Sequence, residues 1–182
     1  MRTQLFRIVL VTVFLAIPSI ALAQRTPHRT QSAAGVDVGV FIPRDSALGT
    51  GPDIDGFFEH YLTARDSVRV DFGWANPGVE GTNNSMREVR FGGDLLHNWE
   101  GGSIHPFLGA GLGAYILQER NNGGNNIGDS HTQFGGSLIG GIEFFTSNTF
   151  SVKAEAAYHV VTKVNDLNPS GLLLSIGAKA YF

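Results

Sequence analysis

Residues 172–182 read Leu-Leu-Leu-Ser-Ile-Gly-Ala-Lys-Ala-Tyr-Phe. Leu172, Leu174, Ile176, Ala178, Ala180 and Phe182 share one parity, and Leu173, Ser175, Gly177, Lys179 and Tyr181 the other. A period of two with one apolar face is the mark of a β-strand, and no 3.6-residue stripe competes with it here. The stretch before it behaves alike: Phe150, Val152, Ala154, Ala156, Tyr158 and Val160 oppose Ser151, Lys153, Glu155, Ala157 and His159. Val68, Val70, Phe72 and Trp74 oppose Arg69, Asp71, Gly73 and Ala75. Working back from the ending, eight segments alternate in this way, at 34–43, 54–62, 67–76, 86–99, 104–118, 132–146, 150–162 and 171–182.

The connections alternate as well. Residues 63–66, 100–103 and 147–149 are tight turns; 44–53, 77–85, 119–131 and 163–170 are longer and rich in Gly, Asn, Pro and Ser. Antiparallel strands in even number, with short turns at one end and long loops at the other, describe an eight-stranded antiparallel up-and-down transmembrane β-barrel. Both ends of the barrel domain, 34–182, then lie on the short-turn side.

Composition fits this reading. Charged residues are 16% of the 182, against about 25% in ordinary soluble domains. There are 24 Gly and 13 Phe, and no Cys, which excludes disulfides, cysteine zinc sites and a lipid-modified N-terminal cysteine. A net charge of −3 gives no reason to expect a nucleic-acid partner. Residues 1–23 form a separate unit: Arg2 and Arg7, the apolar run Ile8 to Ile17, Pro18, then Ala21-Leu22-Ala23. Charge, apolar core and small-x-small site occur in the order of a cleaved signal peptide, and ten apolar residues are too few for a transmembrane helix. The mature chain is expected to start at Gln24, with a polar segment at 24–33 ahead of the barrel.

Alternation alone does not say which face is outside, because a soluble lipocalin-like barrel alternates with its apolar face inward. Low charge, the signal segment and the ordered connections favour lipid outside. So does the placement of charge. Asp37, Asp55, Glu59, Arg69, Asp71, Glu88, Arg90, Asp94, Glu143, Lys153, Glu155 and Lys179 then all face the lumen, and Arg87 is the lone strand charge on the lipid face. Trp99, Phe144, Phe150 and Phe182 fall near the turn end of the outer face, and Trp74 and Phe134 near its loop end, as two interfacial girdles. His60 and His97 lie on the same face close to the turns. Eight lumenal acids against four bases predict that Arg69, Arg90, Lys153 and Lys179 each lie between carboxylates. Gly109, Gly111 and Gly113, inward on one strand, make room for large neighbours.

At this point the sequence resembles a family. Pro106 to Tyr115 (PFLGAGLGAY) is similar to the fifth strand of small OmpA/OmpX-type outer-membrane β-barrel proteins, and Gly140 to Phe145 (GGIEFF) to the end of their sixth. Tyr181-Phe182 resembles the C-terminal signal read by the barrel-assembly machinery. The resemblance implies a Gram-negative outer membrane, outer-membrane lipid around the barrel, and a non-enzymatic protein whose long loops meet surface ligands. Outer-membrane protein A continues into a peptidoglycan-binding domain; this chain stops at Phe182, so that activity is not expected.

Some barrels of this fold are enzymes, among them a lipid A deacylase with His and Ser two apart. No His here is followed by Ser two positions later. The His-Glu-x-x-His, P-loop and Gly-x-Ser-x-Gly patterns are absent. Asp129 lacks the carboxylate neighbours of a calcium site. No cofactor or metal is expected. Two functions stay open: a barrel anchoring four surface loops for membrane integrity, adhesion or surface interaction, and a narrow channel or carrier of small apolar solutes. A lipid-modifying enzyme ranks behind both.

Phe182 yields a test. Its deletion removes about 1.5–3 kcal/mol of apolar burial, so the variant should fold in micelles nearly as well as the parent. If Phe182 is also the assembly signal, surface levels in cells should fall far more than that energy warrants. Immunoblots of outer-membrane fractions measure this, and parental levels would reduce Phe182 to a strand terminus.

Overall fold

The structure, a computed structural model, describes residue 27 and residues 30–100, 104–163 and 168–182. The expected signal peptide, 1–23, lies outside the described residues, as does half of the polar segment 24–33. Eight strands follow one another: β1 (Ser32–Pro43), β2 (Gly51–Tyr61), β3 (Asp66–Ala75), β4 (Ser85–Asn98), β5 (Ile104–Arg120), β6 (His131–Phe145), β7 (Phe150–Val161) and β8 (Gly171–Tyr181). Each pairs antiparallel with the next, and β1 pairs with β8, so the sheet closes into a barrel. Ala33 stands opposite both Glu59 and Tyr181, which puts both ends of the barrel on the short-turn side.

Closure leaves the strands no free edge, so their backbone groups pair within the sheet, as hydrocarbon surroundings require. Side chains alternate across it. The outer face is apolar, with Leu112 78%, Phe134 72% and Leu95 66% exposed, in a continuous belt with Val36, Phe91, Leu138, Val160 and Ile176. Such a belt far exceeds the apolar patch a soluble monomer tolerates. The inner face holds the charge: Glu59 and Glu143 are each 1% exposed. This settles the orientation that alternation left open, since a lipocalin-like barrel would be built the other way round.

Strand ends shift by one to three residues from the sequence reading, and β5 runs on to Arg120 rather than 118. β1 begins at Ser32, inside the segment assigned to a polar leader. β2 begins at Gly51 rather than 54. Gly51-Pro52 carries turn chemistry, yet Pro52 fits as the second residue of the strand, where it pairs with Val40 of β1 and the β3 ladder starts only at Asp53. β8 ends at Tyr181, although Phe182 still exchanges backbone hydrogen bonds with Ser32 at 2.9 and 3.1 Å.

The long loops also hold more core than their composition implied. Leu48 of the first loop joins Met86 and Leu117 in a buried cluster, and Val79 of the second loop packs on it. A Leu48–Val79 bridge and the Gly49 N to Gly78 O hydrogen bond (2.8 Å) join these two loops across the mouth. The first loop is tied to the fourth by Arg44 N to Ser170 O (2.7 Å) and Asn168 N to Asp45 Oδ2 (2.9 Å). The amides of Ala47 and Asn168 hold the Asp45 carboxyl below the usual carboxylate range. The tie therefore persists above that range and is lost only as pH falls through the lowered value.

The outer belt can be probed at Val70, mid-strand and outward on β3. Val70→Arg should destabilise the barrel by about 2–4 kcal/mol in bilayers, while Val70→Leu should cost little. Urea titration in lipid vesicles, with unboiled gel mobility as the sign of folding, measures both. Equal stability would mean that this face does not meet lipid.

Candidate functional site

The inward parity collects the polar residues of the sequence into the interior in three layers, and each cation is held by at least one acid from another strand. Nearest the turns, Lys179 of β8 lies 2.8 Å from Glu59 of β2 and 3.0 Å from Glu143 of β6. Tyr61 and Tyr181 close this layer: their hydroxyls are 3.2 Å apart, and Tyr181 and Ser151 donate to Glu143. Ser67 donates to Glu59 at 2.5 Å. Ala33, Tyr61, Phe145 and Tyr181 pack as a buried cluster around these groups.

In mid-barrel, Arg69 of β3 donates to Asp94 at 2.9 Å through Nε and to Glu155 at 2.7 Å through Nη1. Lys153 of β7 meets the same Glu155 at 2.7 Å and Asp37 at 2.8 Å. The ring of Phe57 lies between the two cations, 4.4 Å from Lys153 Nζ and 5.5 Å from the Arg69 guanidinium carbon. Toward the loops, Arg90 of β4 reaches Asp53 at 2.5 Å, Asp55 at 2.8 Å and Glu88 at 3.2 Å. Each of the four lumenal cations thus lies against at least two carboxylates.

Asp71 stands apart. Among the described residues no cation lies within ion-pair distance of it, and its Oδ2 has no hydrogen-bond partner. It lines a cavity of about 20 Å³ with Asp94, Ser137, Glu155 and His159. A second cavity, about 10 Å³, is lined by Asp71, Tyr115, Ser137 and His159. Each has roughly the volume a water molecule or two needs. His159 Nδ1 bonds the Tyr115 hydroxyl at 2.9 Å, and its Nε2 faces this region without a partner.

Glycines make the approach of these groups geometrically feasible. A Cβ at Gly177 would collide with the Asp37 carboxylate, one at Gly111 with Asp94, and one at Gly73 with Asp55 and Arg90. Gly109 lies against the Leu96 side chain. Asp53 is the network member that the sequence reading passed over. It shares parity with Asp55, and that alternation was the available signal, masked by the preceding Gly-Pro.

The outward histidines near the turns are engaged. His60 Nδ1 lies 3.0 Å from Ser32 Oγ, and His97 Nδ1 lies 2.7 Å from Asp66 with its ring edge on Trp99. Phe182 is exposed to the outside and tilts against Phe58.

The pairing can be tested by a cycle on Lys153 and Asp37. Lys153→Met strands Asp37, whose ion-pair partner is Lys153, and should cost about 3–5 kcal/mol. Adding Asp37→Asn should recover much of that loss. Urea unfolding of the singles and the double measures the coupling, and additive losses would show that the pair carries none.

Comparison with known proteins agrees with this geometry. A family model described as the outer membrane protein beta-barrel domain matches residues 8–182. No curated protein sequence matches. Among solved structures, the surface protein NspA of Neisseria is similar at 15% identity and TM-score 0.67, covering 84% of this chain and 96% of that one. OprG of Pseudomonas aeruginosa is similar at 10% identity and TM-score 0.66, covering 86% and 98%. Ail, the attachment invasion locus protein of Yersinia pestis, is similar at 12% identity and TM-score 0.59, covering 85% and 99%. At these identities the likeness is one of fold, and it is the family model, spanning nearly the whole sequence, that identifies the chain as a member of the outer membrane protein beta-barrel domain family.

Proposed function

We propose that this protein is a non-enzymatic anchor that holds four surface-exposed loops on the Gram-negative outer membrane. It serves membrane integrity, adhesion or surface interaction. The signal peptide at 1–23 exports it, and the barrel-assembly machinery inserts it by reading Tyr181 and Phe182. The observation that carries this reading is the filled lumen. Eight strands enclose a space that side chains just fill, and here the fill is three layers of ion pairs stacked from Lys179 through Arg69 and Lys153 to Arg90. The larger cavity lined by both Arg69 and Arg90 is only about 20 Å³, too small for a solute path.

The crown of loops supports the same reading. Three of the four long connections are stitched together by Leu48–Val79, Gly49–Gly78 and Asp45–Asn168, which makes an ordered platform rather than a set of tethers. An ordered surface presented on a plugged barrel suits recognition better than transport.

Conductance is the deciding experiment. In planar bilayers the purified protein should be silent or give only rare, small openings. A steady, large conductance would overturn the anchor reading and favour the channel.

A further inference from the structure

Arg87 and Arg120 are outward-facing arginines on neighbouring strands at the loop end of the barrel. Arg87 stands opposite Gln118, and Arg120 opposite Ser85, so the two are diagonal neighbours on one face. Diagonal positions of this kind lie about 7–8 Å apart, within reach of long side chains. Arg87 makes no hydrogen bond or ion pair among the described residues, and Arg120 engages only Asn126 Oδ1, through Nε at 3.3 Å. Neighbouring acids are occupied: Glu119 accepts from Asn84 at 3.0 Å, and Glu88 faces inward to Arg90. Outward charges at the turn end differ, since Asp66 pairs with His97 and Glu100 with Arg65. Two uncompensated guanidinium groups therefore sit at the edge of the apolar belt on one side of the barrel.

The surface below them is shaped. One step down the barrel, Val89, Ile116 and Thr132 are aligned across β4, β5 and β6, with Trp74 beside Val89 on β3. One step further, Phe91, Ala114 and Phe134 are aligned, so two exposed phenyl groups flank a small residue. This furrow lies four residues from Arg87 along β4, about 14 Å at the usual rise per residue. A paired cationic site above an apolar furrow matches a lipid with a phosphorylated headgroup. Planar guanidinium groups bind phosphate through paired, charge-assisted hydrogen bonds.

We propose that Arg87 and Arg120 hold the phosphate of an outer-leaflet lipid headgroup, with an acyl chain of that lipid lying over Ala114 between Phe91 and Phe134. The leaflet rests on the reading that the long loops face the exterior; the site itself does not. Native mass spectrometry of the folded protein in neutral detergent tests it, with diphosphoryl lipid A and its dephosphorylated form as probes. The parent should retain the phosphorylated lipid at least about tenfold more than Arg87→Ala/Arg120→Ala does. The control Arg44→Ala/Lys163→Ala, altered at loop-end cations on other parts of the rim, should match the parent. Ala114→Leu, which fills the furrow, should also lose retention while keeping both arginines. Equal retention of the dephosphorylated lipid by the parent, or undiminished retention by the arginine double variant with unboiled gel mobility preserved, overturns the proposal. Displacement of the lipid by millimolar inorganic phosphate alone also overturns it, because it reveals a simple anion site. The measurement is independent of conductance, so its failure and that of the anchor reading are separable.

Discussion

Hydrocarbon offers a polypeptide no hydrogen-bond partner, and the rest of this structure follows from that single constraint. A sheet immersed in it cannot expose an edge, so β1 must find β8, and the first and last strands meet residue by residue from Ala33–Tyr181 to Pro43–Gly171. Once the sheet is closed, every strand has an outside and an inside of different chemistry. The outside belongs to lipid. The inside becomes a compartment whose polar side chains have little but one another to pair with.

The polar interior is best understood in those terms. Isolated ions in such a space would be costly, and an apolar fill of equal volume would do as well or better for stability alone. What the ions add is register. Lys179 requires β2 and β6 at one height, Arg69 requires β4 and β7 at another, and Arg90 requires β2 at a third. A strand displaced by one residue would turn its charges out into lipid. The inward glycines serve the same end, because Gly177, Gly111 and Gly73 each leave the space that a neighbouring carboxylate occupies.

Much of this was legible in the sequence because its signal is a parity, and parity survives errors in strand ends. Glu88, Arg90 and Asp94 keep one phase whether β4 is taken to start at 85 or 86. The face assignment needed independent support, because alternation is symmetric between a lipid-bathed and a water-bathed barrel. What the sequence did not reveal is long-range: which carboxylate meets which cation depends on the stagger between strands that are far apart in the chain. Asp53 was hidden by a Gly-Pro that imitates a turn. The cluster of Leu48, Met86 and Leu117 was hidden because isolated apolar residues in loops have no periodicity to betray them. The arginine pair on the outer rim was half visible: Arg87 stood out as a lone charge, but Arg120 lay beyond the assigned end of its strand.

Among the described residues the third loop, residues 121–130, bonds only to itself and to the end of β5: Asn121 with Asn125, Arg120 with Asn126, Gln118 with Ile127 and Gly128. The other three are laced to one another over the mouth. A substitution in the laced loops alters contacts in its neighbours, so their sequences are constrained jointly. The third loop carries no such obligation. Substitution or insertion there leaves the contacts of the crown beside it in place.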